Sequence, residues 1–526
     1  MNTEQLINLL CLPESYPHPV EVITTIETHI SVVFLTGQYA YKLKKPVDFG
    51  FLNFTKIPDR HFFCNQELRL NRRTAPNLYL DVVPVYIDSN EQIRVSSSTQ
   101  KHLATSEPID YLVKMNQFEP NSVLGRYLVD HQLSNLQESQ LAQQIAELHL
   151  TSNQVDSDSH LGEPKTILQP MLDNFPILLE RCNENYKPLL EKLLAWTHQQ
   201  FETLTPYLIA RKQNGFVREC HGDLHLDNIT LIDGVPTLFD GIEFNDEFRW
   251  IDGISDLAFL LIDLDFREQA GLKRRLFSQY MNITGDHDAM ALLSFYRVYR
   301  SLVRAKISAL RFSQLDNKSA DYQHYRQITL QYILQAKSDA FNTQPPQLIL
   351  LQGVSGSGKS YLSKQLLEQI EAVVISSDIE RKRLFGVKAT HRVTECEKTA
   401  LYSAEMSQKT YDRLQALSSQ ILTLGTSVIV DATFLKQTHR LPFFELAKRL
   451  GVDCKVLYIE TDEATAKYAI ESRLALNNDP SDADVTVMLN QLKVIEAPTD
   501  QETSLTLKAN ELRHFFPSEL TQEFLF

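Results

Sequence analysis

The sequence predicts a multidomain protein with an α+β domain first and an α/β domain built on a parallel sheet second. The chain has 526 residues, which is too long for a single hydrophobic core. Strand patterns fill residues 30–88 and helical patterns dominate residues 120–340, whereas after residue 347 short apolar strands alternate with helices. Such alternation is typical of a parallel sheet covered on both faces.

The boundary between the two domains is predicted from one polar stretch, "NTQPPQ", at residues 342–347. Two prolines among polar residues follow a long helical pattern and precede an apolar strand, which is typical of a linker. We therefore predict a first domain at 1–340, a linker at 341–347 and a second domain at 348–526.

The bulk composition is ordinary for a soluble globular protein, with 43% hydrophobic and 22% charged residues. The formal net charge of -14 makes nucleic acid or an anionic membrane an unlikely partner. Six scattered cysteines without metal-ligand spacing favour a reducing compartment. The sequence has neither a signal-peptide pattern at its start nor an apolar run of ~20 residues. We expect a cytoplasmic protein; its oligomeric state is left open.

Residues 353–360, "GVSGSGKS", fit G-x-x-x-x-G-K-[ST] at every fixed position, between an apolar strand and a helical pattern. Backbone N–H groups of such a loop surround phosphate oxygens, and the helix N-terminus adds its dipole. Lys359 is expected on the β- and γ-phosphates and Ser360 on Mg²⁺. The residues expected to bind ATP are Gly353, Ser355, Gly356, Ser357, Gly358, Lys359 and Ser360.

Polar residues at the following strand ends predict the chemistry of this P-loop. Asp378 after "VVISS" could take the proton of an acceptor hydroxyl, or cap a helix, and Arg381 and Arg383 could hold an anionic substrate. Asp431, at the end of "SVIVD", could orient Mg²⁺ or have a purely structural role. Arg473 precedes a polar break that could close as a lid over the transferring phosphoryl group.

Residues 347 to about 510 resemble the small-molecule kinase branch of P-loop proteins, which includes zeta-toxin-like, polynucleotide, gluconate and chloramphenicol kinases. The stretches that carry the resemblance are "GVSGSGKS", "SSDIERKRLFG" and "VDATF". It implies a fold like adenylate kinase and transfer of the ATP γ-phosphate to a hydroxyl.

A second constellation lies at residues 221–228, "HGDLHLDN". Alternating His and Asp could ligate a transition metal. However, Asp223 and Asn228 have the spacing of a kinase catalytic loop, in which Asp receives the substrate proton and Asn holds Mg²⁺. Asp240, at the end of the next strand, stands where a second Mg²⁺ ligand is required. Glu243 could bind metal or be a surface carboxylate.

The stretch "HGDLHLDN" followed by a strand-borne Asp resembles the aminoglycoside phosphotransferase family. This resemblance implies a two-lobed protein-kinase-like fold, with an N-lobe of about 1–118 and a C-lobe of about 119–340. The whole chain is similar to bacterial fusions of such a domain with a P-loop kinase domain, a resemblance that is specific for fold and ATP chemistry and leaves the substrates open.

The kinase resemblance assigns further residues in the N-lobe. In "YAYKLKKP", Lys42 is expected on the α- and β-phosphates, with Lys44 as the alternative. Glu67 on the following helix is placed to pair with Lys42. Backbone groups from Met115 to Phe118 are expected to meet adenine.

One feature departs from protein kinases, and the role of three arginines stays open. A single glycine, Gly37, marks the turn that would cover the phosphates, instead of G-x-G-x-x-G. Arg297, Arg300 and Arg304 share a helix face and could bind an anion, or pair with acidic neighbours.

These observations predict a bifunctional phosphotransferase with two Mg·ATP sites, acting on hydroxyls of small molecules. In the alternative, the first half is a regulatory or binding module for the P-loop kinase. A toxin-type kinase of a nucleotide sugar and a polynucleotide kinase are further possibilities.

Overall fold

The structure is a computed structural model that describes residues 2–50, 52–88, 92–96, 107–342, 344–389, 391–476 and 483–512. It divides into two compact units, Met1–Asp263 with Phe295–Ala336 and Leu264–Ser294 with Lys337–Phe526. The border at 341–347 stays a prediction, because this division adds a segment of the first half to the second unit. None of the described helices combines the length and apolarity that a membrane span needs.

The first unit begins with a six-stranded antiparallel sheet. Its strands are β1 (Thr24–Glu27), β2 (Ser31–Leu35), β3 (Tyr39–Lys44), β4 (Tyr79–Ile87), β5 (Ile93–Val95) and β6 (Asp110–Asn116), in the order β1-β2-β3-β6-β4-β5. Two helices accompany the sheet, α1 (Thr3–Leu10) and α2 (Ile57–Asn71).

Strand β3 is buried on both faces, and this decides where its lysines lie. Tyr41 and Leu43 pack in the apolar cluster that includes Leu10 of α1. Because side chains alternate along a strand, Lys42 and Lys44 share the opposite face, together with Ala40, which packs against Cys64 of α2. The two lysines therefore lie on the face that α2 covers.

Helices dominate the chain from residue 124 to residue 341. They are α3 (Leu124–Asp130), α4 (Asn135–Thr151), α5 (Pro164–Leu172), α6 (Asn174–Arg181), α7 (Lys187–Gln213), α8 (Asp246–Arg249), α9 (Gly253–Phe266), α10 (Ala270–Thr284), α11 (Met290–Phe312) and α12 (Ala320–Phe341). Two small antiparallel pairs interrupt them: β7 (Val217–Glu219) with β10 (Trp250–Asp252), and β8 (Ile229–Ile232) with β9 (Val235–Leu238).

The second unit contains a five-stranded parallel sheet. Its strands are β11 (Gln347–Gln352), β12 (Ala372–Ser376), β13 (Ser427–Asp431), β14 (Asp453–Glu460) and β15 (Ser504–Lys508), in the order β12-β13-β11-β14-β15. Its helices are α13 (Lys359–Leu366), α14 (Ser377–Phe385), α15 (Glu395–Leu401), α16 (Ala404–Thr423), α17 (Gln437–Leu450), α18 (Glu463–Leu476) and α19 (Val485–Val494).

Helix α10 is part of the second unit, although it ends at Thr284, well before the predicted linker at 341–347. Ser278 accepts a hydrogen bond at 3.0 Å from the backbone N–H of Val374 in β12, and Asn282 donates at 2.9 Å to the Val374 carbonyl. Arg274 donates at 2.6 Å to the carbonyl of Leu367. The helix thus satisfies backbone groups at and beside the edge strand of the parallel sheet.

The predicted architecture is confirmed: an antiparallel sheet and a mainly helical stretch come first, and a parallel sheet follows. Trp250 begins strand β10, because residues 250–252 pair with β7. One detail differs from the sequence expectations. Strand β12 ends at Ser376, so Asp378 lies in the first turn of α14, where the helix dipole favours a carboxylate.

Candidate active sites

In the first unit, a lysine, a glutamate and an aspartate from three separate elements meet. Lys42 of β3 forms ion pairs with Glu67 of α2 at 2.9 Å and with Asp240, two residues after β9, at 2.5 Å. Burial lowers the pKa of Lys42, but Asp240 and Glu67 outweigh burial and raise that pKa well above its usual value. Lys42 is therefore a fixed positive charge, as the sequence predicted for a phosphate-binding lysine.

Lys44 occupies a second position in the same charge cluster. It donates to the other oxygen of Glu67 at 2.6 Å and to Glu243. Both lysines are buried, and so are Glu67 and Glu243, which are 0% and 5% exposed. Glu243 is therefore a buried partner of Lys44 and not a surface carboxylate.

Asp240 is held in a strained backbone conformation. Its φ is +60°, a left-handed value that costs a non-glycine residue of the order of 1 kcal/mol and that often marks functional sites. The backbone N–H of Asp240 donates to the Tyr79 hydroxyl at 3.1 Å, and the next N–H, from Gly241, donates to Asn71 at 2.8 Å. These bonds aim the Asp240 carboxylate, which stays 41% exposed, at Lys42.

The predicted catalytic loop brings Asp223, Asn228 and His225 together. The Asn228 amide donates to the Asp223 carboxylate at 3.1 Å, which leaves the amide oxygen of Asn228 free for a cation. His225 accepts from the Asp227 N–H through Nδ1, so its Nε2–H faces the Asp223 carboxylate at 3.3 Å. Burial raises the pKa of Asp223, but His225 and Arg304 outweigh burial and hold that pKa below its usual range. Asp223 is therefore an anion.

A buried carboxylate, Asp256, positions this loop. Asp256 of α9 accepts hydrogen bonds from the backbone N–H groups of His221 and Gly222, both at 2.9 Å, and from His149 at 3.1 Å. His221 uses Nε2 to reach the Phe239 carbonyl at 2.9 Å, which also supports the loop. The positioning role of Asp256 has no local sequence signal, since it lies 33 residues beyond Asp223.

The arginines of α11 contact this region in different ways. Arg300 is buried, donates to the Ser255 carbonyl at 3.2 Å, and packs over the Phe259 ring. Arg304 packs over the Tyr332 ring and contributes to the lowered pKa of Asp223. Arg300 and Arg304 therefore support the loop and α9, and Arg304 interacts with the acidic neighbours Asp263 and Asp223.

The predicted adenine-binding residues lie at an apolar cluster. Met115 is buried there, and Phe118 packs edge-to-face on Phe239 with ring centroids 5.2 Å apart. The turn that contains Gly37 is tied to the same segment, because the Gly37 N–H donates to the Gln117 side chain at 2.9 Å. This N–H is therefore occupied, which differs from the glycine-rich loops that cover phosphates.

In the second unit, residues 353–358 form a loop between β11 and α13, and the helix begins with Lys359 and Ser360. Gly356 and Gly358 have φ values of +81° and +98°, which side chains rarely adopt. The Lys359 ammonium donates to the carbonyls of Gly353 and Val354 at 2.8 and 2.9 Å. The loop thus has the backbone shape and the cation that phosphate binding needs.

The sheet register places the predicted magnesium ligands of the P-loop side by side. Asp431 at the end of β13 pairs with Leu351 of β11, directly before the loop. The Ser360 hydroxyl donates to the Asp431 carboxylate at 2.9 Å. A hydroxyl and a carboxylate are hard oxygen ligands suited to Mg²⁺, and the same holds for Asn228 and Asp240 in the first unit. Both donor sets therefore fit this cation.

The remaining predicted residues of the second unit have different surroundings. Asp378 is half-buried in α14, and Arg381 donates to Ser407 at 3.2 Å and packs over the Tyr402 ring. Arg383 is engaged by Glu380 and by the Asn282 carbonyl of α10. Arg473 lies in α18, but its side chain is outside the described residues, as is most of the predicted lid.

Comparison with known proteins gives three kinds of similarity. Residues 348–498 match the family model described as an AAA domain. An uncharacterized protein of Mycobacterium tuberculosis is 29% identical over 457 residues, which cover 84% of each chain. A choline/ethanolamine kinase family protein from Mesorhizobium loti is 11% identical, with a TM-score of 0.38, over 64% of this chain and 94% of that chain. A gluconokinase from Sinorhizobium meliloti is 17% identical, with a TM-score of 0.23, over 34% of this chain and 99% of that chain.

The matched family model thus covers the loop at 353–358 and strands β12, β13 and β14 of the second unit.

Proposed function

We propose that the protein is a bifunctional phosphotransferase with two Mg·ATP sites, each transferring the γ-phosphate to a hydroxyl of a small molecule. The observation that carries the proposal is the convergence of Lys42, Glu67 and Asp240 in a unit that also holds the Asp223–Asn228 loop. A binding module without chemistry has no need of a positioned carboxylate such as Asp223. The second unit supports the proposal through its P-loop and the Ser360–Asp431 pair.

In the first unit, Lys42 would bind the α- and β-phosphates, and Glu67 would hold Lys42 in place. Mg²⁺ held by Asn228 and Asp240 would neutralise charge on the transferring phosphoryl group. Asp223 would orient the acceptor hydroxyl and accept its proton. Because the pKa of Asp223 is held low, this residue is ionised when the acceptor binds, and its main contribution is position.

In the second unit, the P-loop N–H groups and Lys359 would hold the phosphates, with Ser360 and Asp431 on Mg²⁺. Asp378 would accept the proton of the second acceptor hydroxyl. Arg381 is nearly buried and its Nε has no hydrogen-bond partner within the described part of the chain. Arg381 is therefore the better candidate for an anionic acceptor than Arg383, which Glu380 engages.

The test is phosphoryl transfer from labelled ATP to a panel of sugars, nucleotide sugars, nucleosides, oligonucleotides and aminoglycosides. Wild type would be compared with Asp223→Ala and Lys359→Ala. We expect each variant to lose a different product. If Asp223→Ala kept every product and Lys359→Ala lost them all, the first unit would have no transferase activity on this panel.

One observation favours the alternative in which the first unit is a regulatory nucleotide-binding module. The Gly37 N–H, which a phosphate-covering turn would offer to ATP, is bonded to Gln117. Under this alternative the first unit would bind ATP without turnover. Replacing Asp223 would then change the rate of the second reaction and not the identity of its products.

A further inference from the structure

A cavity of about 350 Å³ lies in the first unit, where the segment after α6 faces the end of α11 and the start of α12. None of the residues assigned above to ATP or Mg²⁺ lines it. The side chains that matter for its chemistry are Arg181, Asn183, Phe312, Tyr322, Arg326 and Leu330.

The polar wall of this cavity is cationic. Within the described part of the chain, the Arg326 guanidinium has no ion pair or side-chain hydrogen bond, and no carboxylate lines the cavity. Arg181 pairs with Glu180 at 3.3 Å, but both side chains are largely exposed, at 43% and 66%. An exposed pair of this kind is weak, so the Arg181 guanidinium can turn to a stronger anion.

A polar amide supplements these two cations. The Asn183 side-chain oxygen accepts a hydrogen bond from the Asn185 N–H at 3.1 Å. This fixes the orientation of the amide and leaves its NH₂ group as a donor. Two guanidinium groups and one amide donor therefore line the same cavity in a chain whose formal net charge is -14.

Aromatic and apolar side chains also line the cavity. The Phe312 and Tyr322 rings pack edge-to-face, with centroids 5.3 Å apart and an interplanar angle of 75°. Leu330, one turn beyond Arg326 on α12, extends this apolar surface beside the arginine. Such a surface would cover an organic group attached to the anion, and it gives bare inorganic phosphate nothing to contact.

We propose that this cavity binds a small organic phosphate, with its phosphoryl group between Arg326 and Arg181 and its carbon skeleton against Phe312 and Leu330. A phosphate monoester carries up to two negative charges and accepts paired hydrogen bonds from the planar guanidinium fork. A monocarboxylate would leave one of the two cations uncompensated. The ligand would thus be a phosphorylated metabolite, bound by residues that are not assigned to ATP or Mg²⁺.

The experiment is isothermal titration of the full chain with phenyl phosphate, inorganic phosphate and benzoate, with saturating Mg·ADP present to occupy the nucleotide sites. We expect phenyl phosphate to bind more tightly than either other probe. Arg326→Gln and Arg181→Gln should each weaken its binding by about tenfold or more, which is the effect of losing a charge-assisted contact. Arg449→Gln removes the same charge from an exposed position on α17 and should leave the affinity unchanged.

Three results would overturn the proposal. The first is no phenyl phosphate binding while Mg·ADP is bound. The second is equal binding by wild type and both arginine variants. The third is binding of inorganic phosphate as tight as that of phenyl phosphate, which would assign the site to the free ion. Thermal unfolding checks that Arg326→Gln is folded. If that variant does not fold, the comparison of wild type with Arg181→Gln tests the proposal, because the Arg181 side chain is exposed.

Discussion

Four buried charges around β3 neutralise each other in pairs: Lys42 and Lys44 against Glu67 and Glu243. A buried ion costs several kcal/mol in desolvation, and its partner offsets that cost only while both are present. Burial raises the pKa of Glu243, although Lys44 opposes this, whereas the two lysines hold the pKa of Glu67 below its usual range against the effect of burial. The cluster is therefore stable as a set and costly to break.

This coupling predicts a non-additive pair of substitutions. Lys44→Met keeps the length of the side chain but leaves Glu67 and Glu243 short of one cation, so we expect it to destabilise the first unit by about 3–5 kcal/mol. Adding Glu243→Gln removes the surplus negative charge and should recover part of that loss. Urea unfolding of wild type, both single variants and the double variant measures the coupling. Strictly additive losses would show that Lys44 and Glu243 do not act as a pair.

The Asp256 carboxylate predicts a pH-dependent contribution to stability. Burial raises its pKa, but the His149 hydrogen bond and the nearby His221 and Arg300 outweigh burial and hold that pKa below its ordinary value. A carboxyl group whose pKa is lower in the folded state than in the unfolded state stabilises the fold at pH values above its unfolded-state pKa, about 3.9. This stabilisation is lost as the pH falls through the folded-state pKa.

Asp256→Asn should therefore cost about 2–3 kcal/mol near neutral pH, because one of its oxygens becomes a donor facing backbone N–H groups. The difference in the free energy of unfolding between this variant and wild type should shrink as the pH falls below about 4. Urea midpoints measured at several pH values test the trend, and a constant difference would contradict it. First-site transfer should fall in the same variant, because the N–H groups of His221 and Gly222 lose their acceptor.

At the residue scale, motifs with fixed spacings made it possible to name candidate site residues from the sequence. Asp223, Asn228 and Ser360 follow from such spacings, and their roles stay predictions. Lys44 stayed the alternative to Lys42, because both lie on the same strand face and both contact Glu67. Glu243 stayed open for a related reason: its partner Lys44 lies 199 residues away in the chain.

At the scale of elements, the P-loop predicts a steric effect that can be isolated with a matched control. A Cβ on Gly356 would lie 2.6 Å from the Ala466 carbonyl oxygen, whereas a Cβ on Gly425, with the same φ of +81°, would meet nothing within 4 Å. Both alanine variants carry the left-handed strain of about 1 kcal/mol. Only Gly356→Ala should also displace the loop and weaken ATP binding by the second unit.

Titration of a fluorescent ATP analogue into both variants measures this difference. Both variants would also carry Asp223→Ala, so that turnover of the nucleotide by the first unit is reduced during the measurement. Equal affinities in Gly356→Ala and Gly425→Ala would mean that the loop tolerates the added Cβ.

Sequence patterns predicted the long apolar strands of both sheets but not two other elements. Strand β15, "SLTLK", has one buried residue in five, so its periodicity is too weak to separate it from a loop. Helix α10 has an apolar face that any neighbouring surface could cover. A pattern indicates that such a face is buried, but it does not say which sheet covers it.

At the scale of the whole molecule, the chain enters the second unit twice, through Leu264–Ser294 and again from Lys337. Strand β12 is an edge strand of the parallel sheet, and exposed edges invite wrong pairing. Helix α10 covers backbone groups of Val374 there, and its Lys273 reaches Glu371 at 2.6 Å, directly before β12. The P-loop unit is therefore incomplete without a segment encoded in the first half.

A fragment that begins at residue 337 should accordingly fold poorly by itself. Without α10 it would expose the Val374 backbone groups and the apolar surface that Leu272 and Leu276 now help to bury. We expect such a fragment to unfold at a lower temperature than the same unit in the full chain, and to gain stability when a peptide of residues 264–294 is added. A peptide with Ser278→Ala and Asn282→Ala should rescue less, since it lacks both side chains that bond to Val374. A fragment that is fully stable and indifferent to both peptides would show that the parallel sheet needs no helix from the first half, and the border at 341–347 would then describe an independent domain.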